Sequence, residues 1–310
     1  MPELAEVETV ARGLRPLAGR RIVAVRFGKT DFIDHPERIE ALLPGSRLVE
    51  VRRHGKLLLL AFDREPAAAK AAPALPGARF WLVVHLGMTG QLVLHEAACP
   101  PARHTHVWFS LDDGRELRYT DIRRFGHLRL ASPEELAVLV APLGAEPLEL
   151  SEAEFRRRLG SRRARVKALL LDQHVLRGLG NIYADESLWR ARLHPMRCGS
   201  DLTAEELDRL WRAVRAVLRE AIRHGGTSIS DYVNALGRPG SYQKRLRVYG
   251  RAGRRCPRCH AAKIERIVVA GRGSHFCPRC QRAGRSAGSG SPRQVRVAAG
   301  KKLPRSLGPG

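Results

Sequence analysis

Two groups of residues stand at spacings that suit chemistry. The first is a pair of Cys-x-x-Cys steps, Cys256/Cys259 and Cys277/Cys280, separated by the 17 residues His260 to Phe276. A Cys-x-x-Cys turn brings two thiolates to one ion, and two such turns complete a tetrahedron, the pattern of a four-cysteine zinc site. Four thiolates leave no open coordination position, so one structural Zn2+ is expected, not a catalytic one. The competing reading is a pair of redox or accidental cysteine motifs. His260 and His275 are neighbours of this cluster, not ligands by spacing, and Cys99 and Cys198 have no partner pattern. The second group is the start Met1-Pro2-Glu3-Leu4-Ala5-Glu6. Its plain reading is a helix start, where proline and acidic side chains are favoured. Its chemical reading begins with removal of Met1, which exposes a secondary amine at Pro2. That amine is much less basic than a lysine, so more of it is neutral and nucleophilic at cellular pH. Attack on a sugar C1′ would give an iminium, an electron sink that lets proton loss at C2′ expel the 3′ phosphate. Glu3 stands beside the amine as a candidate general acid or base.

These residues need elements to hold them. Leu4, Val7, Val10, Ala11 and Leu14 recur at helical spacing and predict a helix over Glu3–Leu17, with Gly19 as its stop. Strand-like runs follow at Arg21–Phe27, Arg47–Arg52, Lys56–Phe62, Arg79–Leu86, Gln91–His95, His106–Leu111, Glu116–Thr120 and His127–Ala131, with a hairpin signal at Asp113-Gly114. Many short strands in succession predict a sandwich or barrel-like β domain. The Ala/Pro-rich stretch Pro66–Pro76 reads as a loop insertion. The pattern changes near Ser132: Ser132/Glu135, Ser151/Glu154 and Thr203/Glu206 are capping-box pairs. The third opens a long helix expected to bury Leu207, Leu210, Trp211, Val214, Val217 and Leu218 and to end at Gly225-Gly226. Ala164–Asp172 and Ile182–Arg190 read as helices joined through Gly178-Leu179-Gly180-Asn181. A Gly-, Pro- and base-rich linker spans Gly237–Gly253, and Ile264–Ala270 supplies β-branched residues for a hairpin between the cysteine turns. Gln281–Gly310 has five Arg and two Lys with no acid and reads as a disordered basic tail. The expected organisation is 1–131, a β domain; 132–236, a helical domain; 237–283, a linker and finger; and 284–310, the tail.

Composition narrows the partner. Across 310 residues, 55 Lys+Arg face 31 Asp+Glu, a net charge of +24, which points to a polyanion. Charge alone does not separate DNA from RNA or an acidic membrane surface. The longest apolar run, Leu57–Phe62, is far short of the roughly 20 residues that cross a bilayer. Acids at positions 3, 6 and 8 do not suit a secretory leader, and the paired cysteines suit a reducing compartment. No Gly-x-Gly-x-x-Gly or phosphate-loop motif stands in its required context, so no nucleotide cofactor is expected.

Pro2–Thr9 resembles the amino-terminal signature of the bacterial formamidopyrimidine-DNA glycosylases. Arg53–Leu59, His85–Gly90, Asp121–Gly126, Gly180–Glu186 and the four-cysteine finger also match that family, in its order, from residue 2 to about 281. The resemblance implies an α+β multidomain chain: an N-terminal β-sandwich with a leading helix, a helix-two-turns-helix domain and a C-terminal zinc-finger hairpin. It implies a bifunctional glycosylase and abasic-site lyase that excises oxidised purines from damaged double-stranded DNA. Pro2 would be the Schiff-base nucleophile, Glu3 the acid/base, and Glu6 a holder of the amine and sugar. Lys56 would contact phosphate beside the lesion, and Asn181 and Arg272 would grip the phosphates around the extruded nucleotide. Met88, Arg123 and Phe125 match the intercalation set: Met88 fills the vacated stack, Phe125 wedges, and Arg123 bonds the orphaned cytosine. Gly237–Gln243 resembles the mobile loop over the damaged base, with Tyr242 and Lys244 counted as DNA-binding. His85 is either a phosphate contact or a structural histidine. Ala5 and Ile122 replace prolines usual in the family, and the 66–76 insertion and the tail have no counterpart in a typical member. A monomer in the bacterial cytoplasm, associated with the nucleoid, is expected. The alternatives are the sister glycosylase for oxidised pyrimidines, a lesion-binding protein without catalysis, and a zinc-ribbon module fused to an unrelated β domain.

Overall fold

The structure is a computed structural model that describes residues 2–64 and 79–283; the 66–76 insertion and the 284–310 tail lie outside the described residues. The chain opens with α1 (Leu4–Leu14), whose last turn tightens to a 3-10 helix at Arg15–Leu17. Pro16 sits in that turn and lacks the N–H an α-helix would use, so the expected helix to Leu17 changes character there. The strands are β1 (Ile22–Phe27), β2 (Ile33–Asp34), β3 (Arg47–His54), β4 (Leu57–Asp63), β5 (Arg79–His85), β6 (Gln91–Glu96), β7 (Thr105–Leu111), β8 (Arg115–Thr120) and β9 (His127–Ala131). They form two sheets, β2-β9-β5-β4-β3 and β1-β7-β8-β6. The expected strands are all present. The short β2 and the helix α2 (Pro36–Leu42) are additional, and both lie in a stretch too short and mixed to give a period.

Between the sheets, Leu58, Leu60 and Phe62 of β4 pack with Phe80, Leu82 and Val84 of β5 and with Val107, Phe109 and Leu117 of the second sheet. The alternate residues Leu59, Ala61, Trp81 and Val83 face the other way, against Leu136 and Leu139 of α3 (Pro133–Val140). Burial on both faces explains why β4 reads as an unbroken apolar run. The change at Ser132 is therefore a change of secondary structure and not of core. The capping box there is complete, but α3 lies on the five-stranded sheet and not in the helical domain expected from residue 132.

The second core gathers α4 (Glu152–Gly160), α5 (Val166–Leu171), α6 (Asn181–Ala191) and α7 (Ala204–Arg223). Thr203 caps α7 with a full box. Ser151 caps α4, but Glu154 turns its carboxylate to Arg158 instead, so that box is half-formed. Trp211 is only partly buried, because its Nε1 donates to Leu150 O at 2.9 Å at the edge of the core. The helix α1 belongs to both cores: Leu4 and Ala5 enter the helical one, while Val7, Val10, Ala11 and Leu14 enter the β core. Beyond α7, Tyr232 and Ala235 return to the β core. The finger hairpin is β10 (Glu265–Val269) and β11 (Arg272–Phe276).

Buried charge also joins the two halves. Arg53, with 7% of its side chain exposed, donates to Glu8 Oε2 at 3.1 Å, to Glu146 Oε2 at 2.9 Å and to Gly55 O at 3.2 Å. Truncating it removes the buried partner that Glu8 and Glu146 share, while Arg12 and Arg15 stay with the first and Arg177 with the second, so the cost is up to about 3 kcal/mol, the low end for breaking a buried pair. Arg53→Ala is therefore expected to lower the urea midpoint of unfolding by a matching amount, and an unchanged midpoint would refute this role.

Candidate active site

The amino terminus of α6 is where the chain's first residues are held. Its free N–H groups converge on the Glu3 carboxylate, which accepts from Gly180 N and Ile182 N at 2.9 Å and from Tyr183 N at 3.4 Å. A helix start is a natural anion site, since its first N–H groups lack intrahelical partners. Leu4 N donates in return to Gly178 O at 3.0 Å. Gly180 is required by this contact: a Cβ there would stand 2.4 Å from the Glu3 carboxyl carbon. Glu6, one turn along α1, accepts from Glu3 N at 2.8 Å, from Thr227 N at 2.7 Å and from the Tyr183 hydroxyl.

Burial dominates the electrostatics. It pushes the Glu3 carboxyl up, against the Lys56 charge and the α6 N–H groups. Burial and then the neighbouring Glu3 charge push Glu6 up to about 7, against its hydrogen bonds from Tyr183 and Thr227. The Lys56 ammonium is pushed down by burial; Glu3 and Glu6 oppose the shift and Arg272 adds to it. Pro2, Glu3, Glu6, Lys56 and Arg272 are thus one cluster, assembled from α1, β4's leading turn and the start of β11. His85 joins its edge: burial, Lys56 and His127 hold its imidazole below the ordinary range.

Pro2 and Glu6 line a cavity of about 150 Å³, with Met88, Thr227, Ile229, Ser230 and Tyr249 among its other walls. A larger cavity, about 520 Å³, lies between α6, α7 and the finger, and none of the expected catalytic residues reaches it. Beside the smaller cavity, Met88 and Phe125 are exposed at 41% and 51%, unusual for large apolar side chains, and the Arg123 guanidinium lies 4.5 Å over the Phe125 ring. Ile122 is also exposed.

Two expectations are corrected. The segment 237–243 does not border this cavity; Thr227, Ile229, Ser230 and Tyr232 do, and Gly240 packs instead against the backbone of Gly225 and Gly226. Gly240 serves that close approach: a Cβ there would stand 2.3 Å from Gly226 O. Tyr242 is not available as a surface contact. It is buried in the helical core, its ring 5.9 Å from that of Tyr183, because its apolar ring caps the core between α6 and α7. Lys244 is exposed.

Several site residues gave no separate signal in the sequence. Tyr183 and Thr227 act on Glu6, through a hydroxyl and a backbone N–H. Asp185 accepts from buried Lys167 and from His275 N at 2.8 Å, and Asn181 Nδ2 donates to Gly273 O at 2.9 Å, so α6 grips β11 beside Arg272. Glu186 accepts from Arg247 N, Val248 N and Tyr249 N at 2.9–3.0 Å, which sets Tyr249 at the cavity. Tyr183, Asp185 and Glu186 stand within the Gly180–Glu186 motif, but the partners of their side chains lie 18 to 177 positions away, which no local pattern reveals.

The four cysteine sulfurs lie within 4.8 Å of one another, with Cys256–Cys280 at 3.9 Å and Cys259–Cys277 at 3.7 Å. A tetrahedral zinc with Zn–S bonds of about 2.3 Å needs sulfurs roughly 3.8 Å apart. The residues therefore fit one structural Zn2+, and neither His260 nor His275 belongs to the set. His275 Nδ1 is instead 3.1 Å from Asp185 Oδ2.

Two outcomes follow from this geometry. Glu6 titrates near 7 when folded and near 4.5 when unfolded. Between those values the folded chain keeps a proton that the unfolded chain releases, so stability is lost as pH rises through the window. In Glu6→Gln that loss is absent: the variant should gain on the parent by up to about 3 kcal/mol from pH 4.5 to 8 in urea titrations, and a constant difference would refute the shift. Removing zinc should open the β10–β11 hairpin, and tryptic cleavage after Arg266 and Arg272 should accelerate at least tenfold, an order-of-magnitude expectation for loss of a structural metal; unchanged cleavage would show that the metal does not hold the hairpin.

Comparison with known proteins agrees with this arrangement. Residues 1–128 match the formamidopyrimidine-DNA glycosylase N-terminal domain, 143–233 the H2TH domain of the same family, and 253–283 a zinc finger found in FPG and IleRS. A relative named formamidopyrimidine-DNA glycosylase, from Chloroflexus aurantiacus, is 44% identical over 275 residues, covering 86% of this chain and 93% of that protein. A Lactococcus lactis FPG variant solved with Fapy-dG containing DNA superposes with a TM-score of 0.80 at 34% identity, covering 91% of this chain and all of that one. The wild-type Lactococcus lactis protein solved with an oxidized pyrimidine containing DNA gives 0.79 at 34% identity over the same shares. With the family's models matching most of its length and its site geometry in place, the chain belongs to the formamidopyrimidine-DNA glycosylase family.

Proposed function

We propose that this protein is a base-excision-repair glycosylase and abasic-site lyase acting on oxidised purines, 8-oxoguanine and formamidopyrimidines, in duplex DNA. The observation that carries the reading is the placement of Pro2 and Glu6 on one cavity wall, with the exposed Met88 on the same cavity and the Arg123–Phe125 pair beside it. A nucleotide rotated out of the stack enters the cavity, while apolar side chains occupy the space it leaves. The net charge of +24 supplies attraction to phosphate.

The chemistry follows from the residues. With Met1 removed, the Pro2 nitrogen forms a bond to C1′ as the bond from C1′ to the damaged base breaks. Glu3, its carboxyl raised by burial, holds a proton for the ring oxygen of the sugar, so the ring opens and an iminium forms between Pro2 and C1′. Loss of a proton from C2′ then expels the 3′ phosphate, and a second elimination expels the 5′ phosphate. Water adds to the remaining iminium at C1′, the bond from C1′ to the Pro2 nitrogen breaks, and the secondary amine is restored. Lys56, beside Glu3 and with the Arg272 charge near, suits a contact to the phosphate next to the extruded nucleotide. Asn181 and Arg272, joined through the α6–β11 contact, hold phosphates on either side of the extruded nucleotide. His85 and Lys244 add outer contacts. Zinc acts only through the hairpin that carries Arg272. The protein works as a monomer in the bacterial cytoplasm, and no described helix is long and apolar enough to cross a membrane.

Oxidised pyrimidines are a second substrate class, favoured by the Lactococcus lactis complex with such DNA. Borohydride trapping on a duplex with one 8-oxoguanine opposite cytosine tests the main reading. An adduct mapped to Pro2, lost when the amine is blocked, is expected. An adduct only with an oxidised pyrimidine would transfer the assignment to that class, and none with any lesion or abasic site would refute catalysis. In Glu3→Gln, base excision should fall by about 10²–10⁴-fold while cleavage of a preformed abasic site falls much less; equal activity to the parent on both would remove Glu3 from the mechanism.

A further inference from the structure

Two loops carry the three side chains assigned to the stack: residues 86–90 carry Met88, and residues 121–126 carry Arg123 and Phe125. One buried carboxylate lies between them. Asp121 is fully buried; its Oδ1 bridges the two loops, and its Oδ2 ties the second loop to the end of β8. Its Oδ1 accepts from the Thr89 hydroxyl and from Arg123 N at 3.2 Å, and Arg123 N also donates to Thr89 Oγ1 at 3.1 Å. Its Oδ2 accepts from Gly126 N at 2.9 Å and from the Tyr119 hydroxyl, at the end of β8, at 3.2 Å. The two backbone N–H groups bracket Phe125, so the carboxylate cinches the loop at both sides of the wedge.

The loops also touch backbone to backbone. Gly87 has φ +60°, and a Cβ there would lie 2.4 Å from the Phe125 carbonyl carbon and oxygen. Neither loop can move alone without opening this contact or breaking a bond to Asp121. Bonds to a buried carboxylate are among the stronger hydrogen bonds, and a network satisfied at every member is rigid.

We propose that Asp121 is a positioning residue that welds the 86–90 and 121–126 loops into one preassembled wedge, so that Met88, Arg123 and Phe125 enter the duplex together. It touches neither sugar nor base. Its effect therefore falls on the step that opens a paired stack, not on the iminium chemistry at Pro2. The inference rests on the proposed function.

The test compares two substrates for one reaction. An abasic site in a single strand has no stack to open; the same site or 8-oxoguanine in duplex DNA does. Cleavage of the abasic duplex by the parent protein is measured first, and its absence would refute the proposed function on which this inference rests. With that activity present, Asp121→Asn keeps the volume but turns an N–H2 toward donors. It should slow single-turnover cleavage of the duplex by about ten- to a hundredfold, the scale set by ångström-sized misplacement. It should slow the single strand less than about twofold, well inside that scale. The fluorescence rise of a 2-aminopurine beside the lesion, which reports unstacking, should shrink in step. Thr89→Val, which removes one hydroxyl and keeps the shape, should show the same selective loss at about fivefold, the worth of one hydrogen bond. If Asp121→Asn does not fold, the Thr89→Val comparison decides. Equal slowing on both substrates, or no slowing on the duplex, would overturn the proposal.

Discussion

The contact between the Glu3 carboxylate and the first N–H groups of α6 is the constraint on which the rest depends. It joins residues 177 to 180 positions apart and fixes Pro2 beside the cavity. A helix start offers several donors in a fixed fan, so it orients a carboxylate more firmly than a single side chain would. Glu3 in turn presents its own backbone N–H to Glu6, and Glu6 reaches Thr227 and Tyr183. Three stretches of chain remote in sequence therefore meet at two carboxylates. The small residues Gly178 and Gly180 leave the room for it.

Such a site has an electrostatic cost that serves its chemistry. Two buried carboxylates side by side repel, and neither is fully hydrated, so both hold protons more tightly than exposed acids do. Lys56 offsets part of that cost at Glu3, and burial, with the Arg272 charge, weakens the Lys56 proton. The result is a group of acids and bases whose affinities for protons are drawn toward one another: Glu3 and Glu6 upward, Lys56 downward. That is the condition under which protons move readily between a nucleophile, a sugar and their neighbours.

The helix α6 is the rail that carries the assembly. Its start holds Glu3, Asn181 and Asp185 hold β11, and Glu186 holds the 247–249 segment. The finger is therefore not an appended module but is fixed to the same helix that holds the Glu3 carboxylate. The β-sandwich contributes the opposite wall, where Lys56 and His85 stand at adjoining strand ends and the Met88 and Phe125 loops project.

Eight of the nine strands of the two larger sheets, the long capped helix, the cysteine tetrad and the family's ordered motifs were legible in the sequence, because each rests on local spacing: alternation, helical period, capping pairs and Cys-x-x-Cys turns. The sequence also singled out Pro2, Glu3, Glu6, Lys56 and Arg272 as members of one site through resemblance. Tertiary structure alone decided which elements share a core: α3 lies on the sheet and not with the helices after it, and α1 spans both cores. It alone moved the cavity wall from 237–243 to 227–232 and turned Tyr242 inward. Only tertiary structure showed Asp121, Tyr183, Asp185 and Glu186 as the groups that hold others in place. Their partners are set by packing between distant segments, and a buried acid is identified by the donors that fold around it, not by its neighbours in the chain.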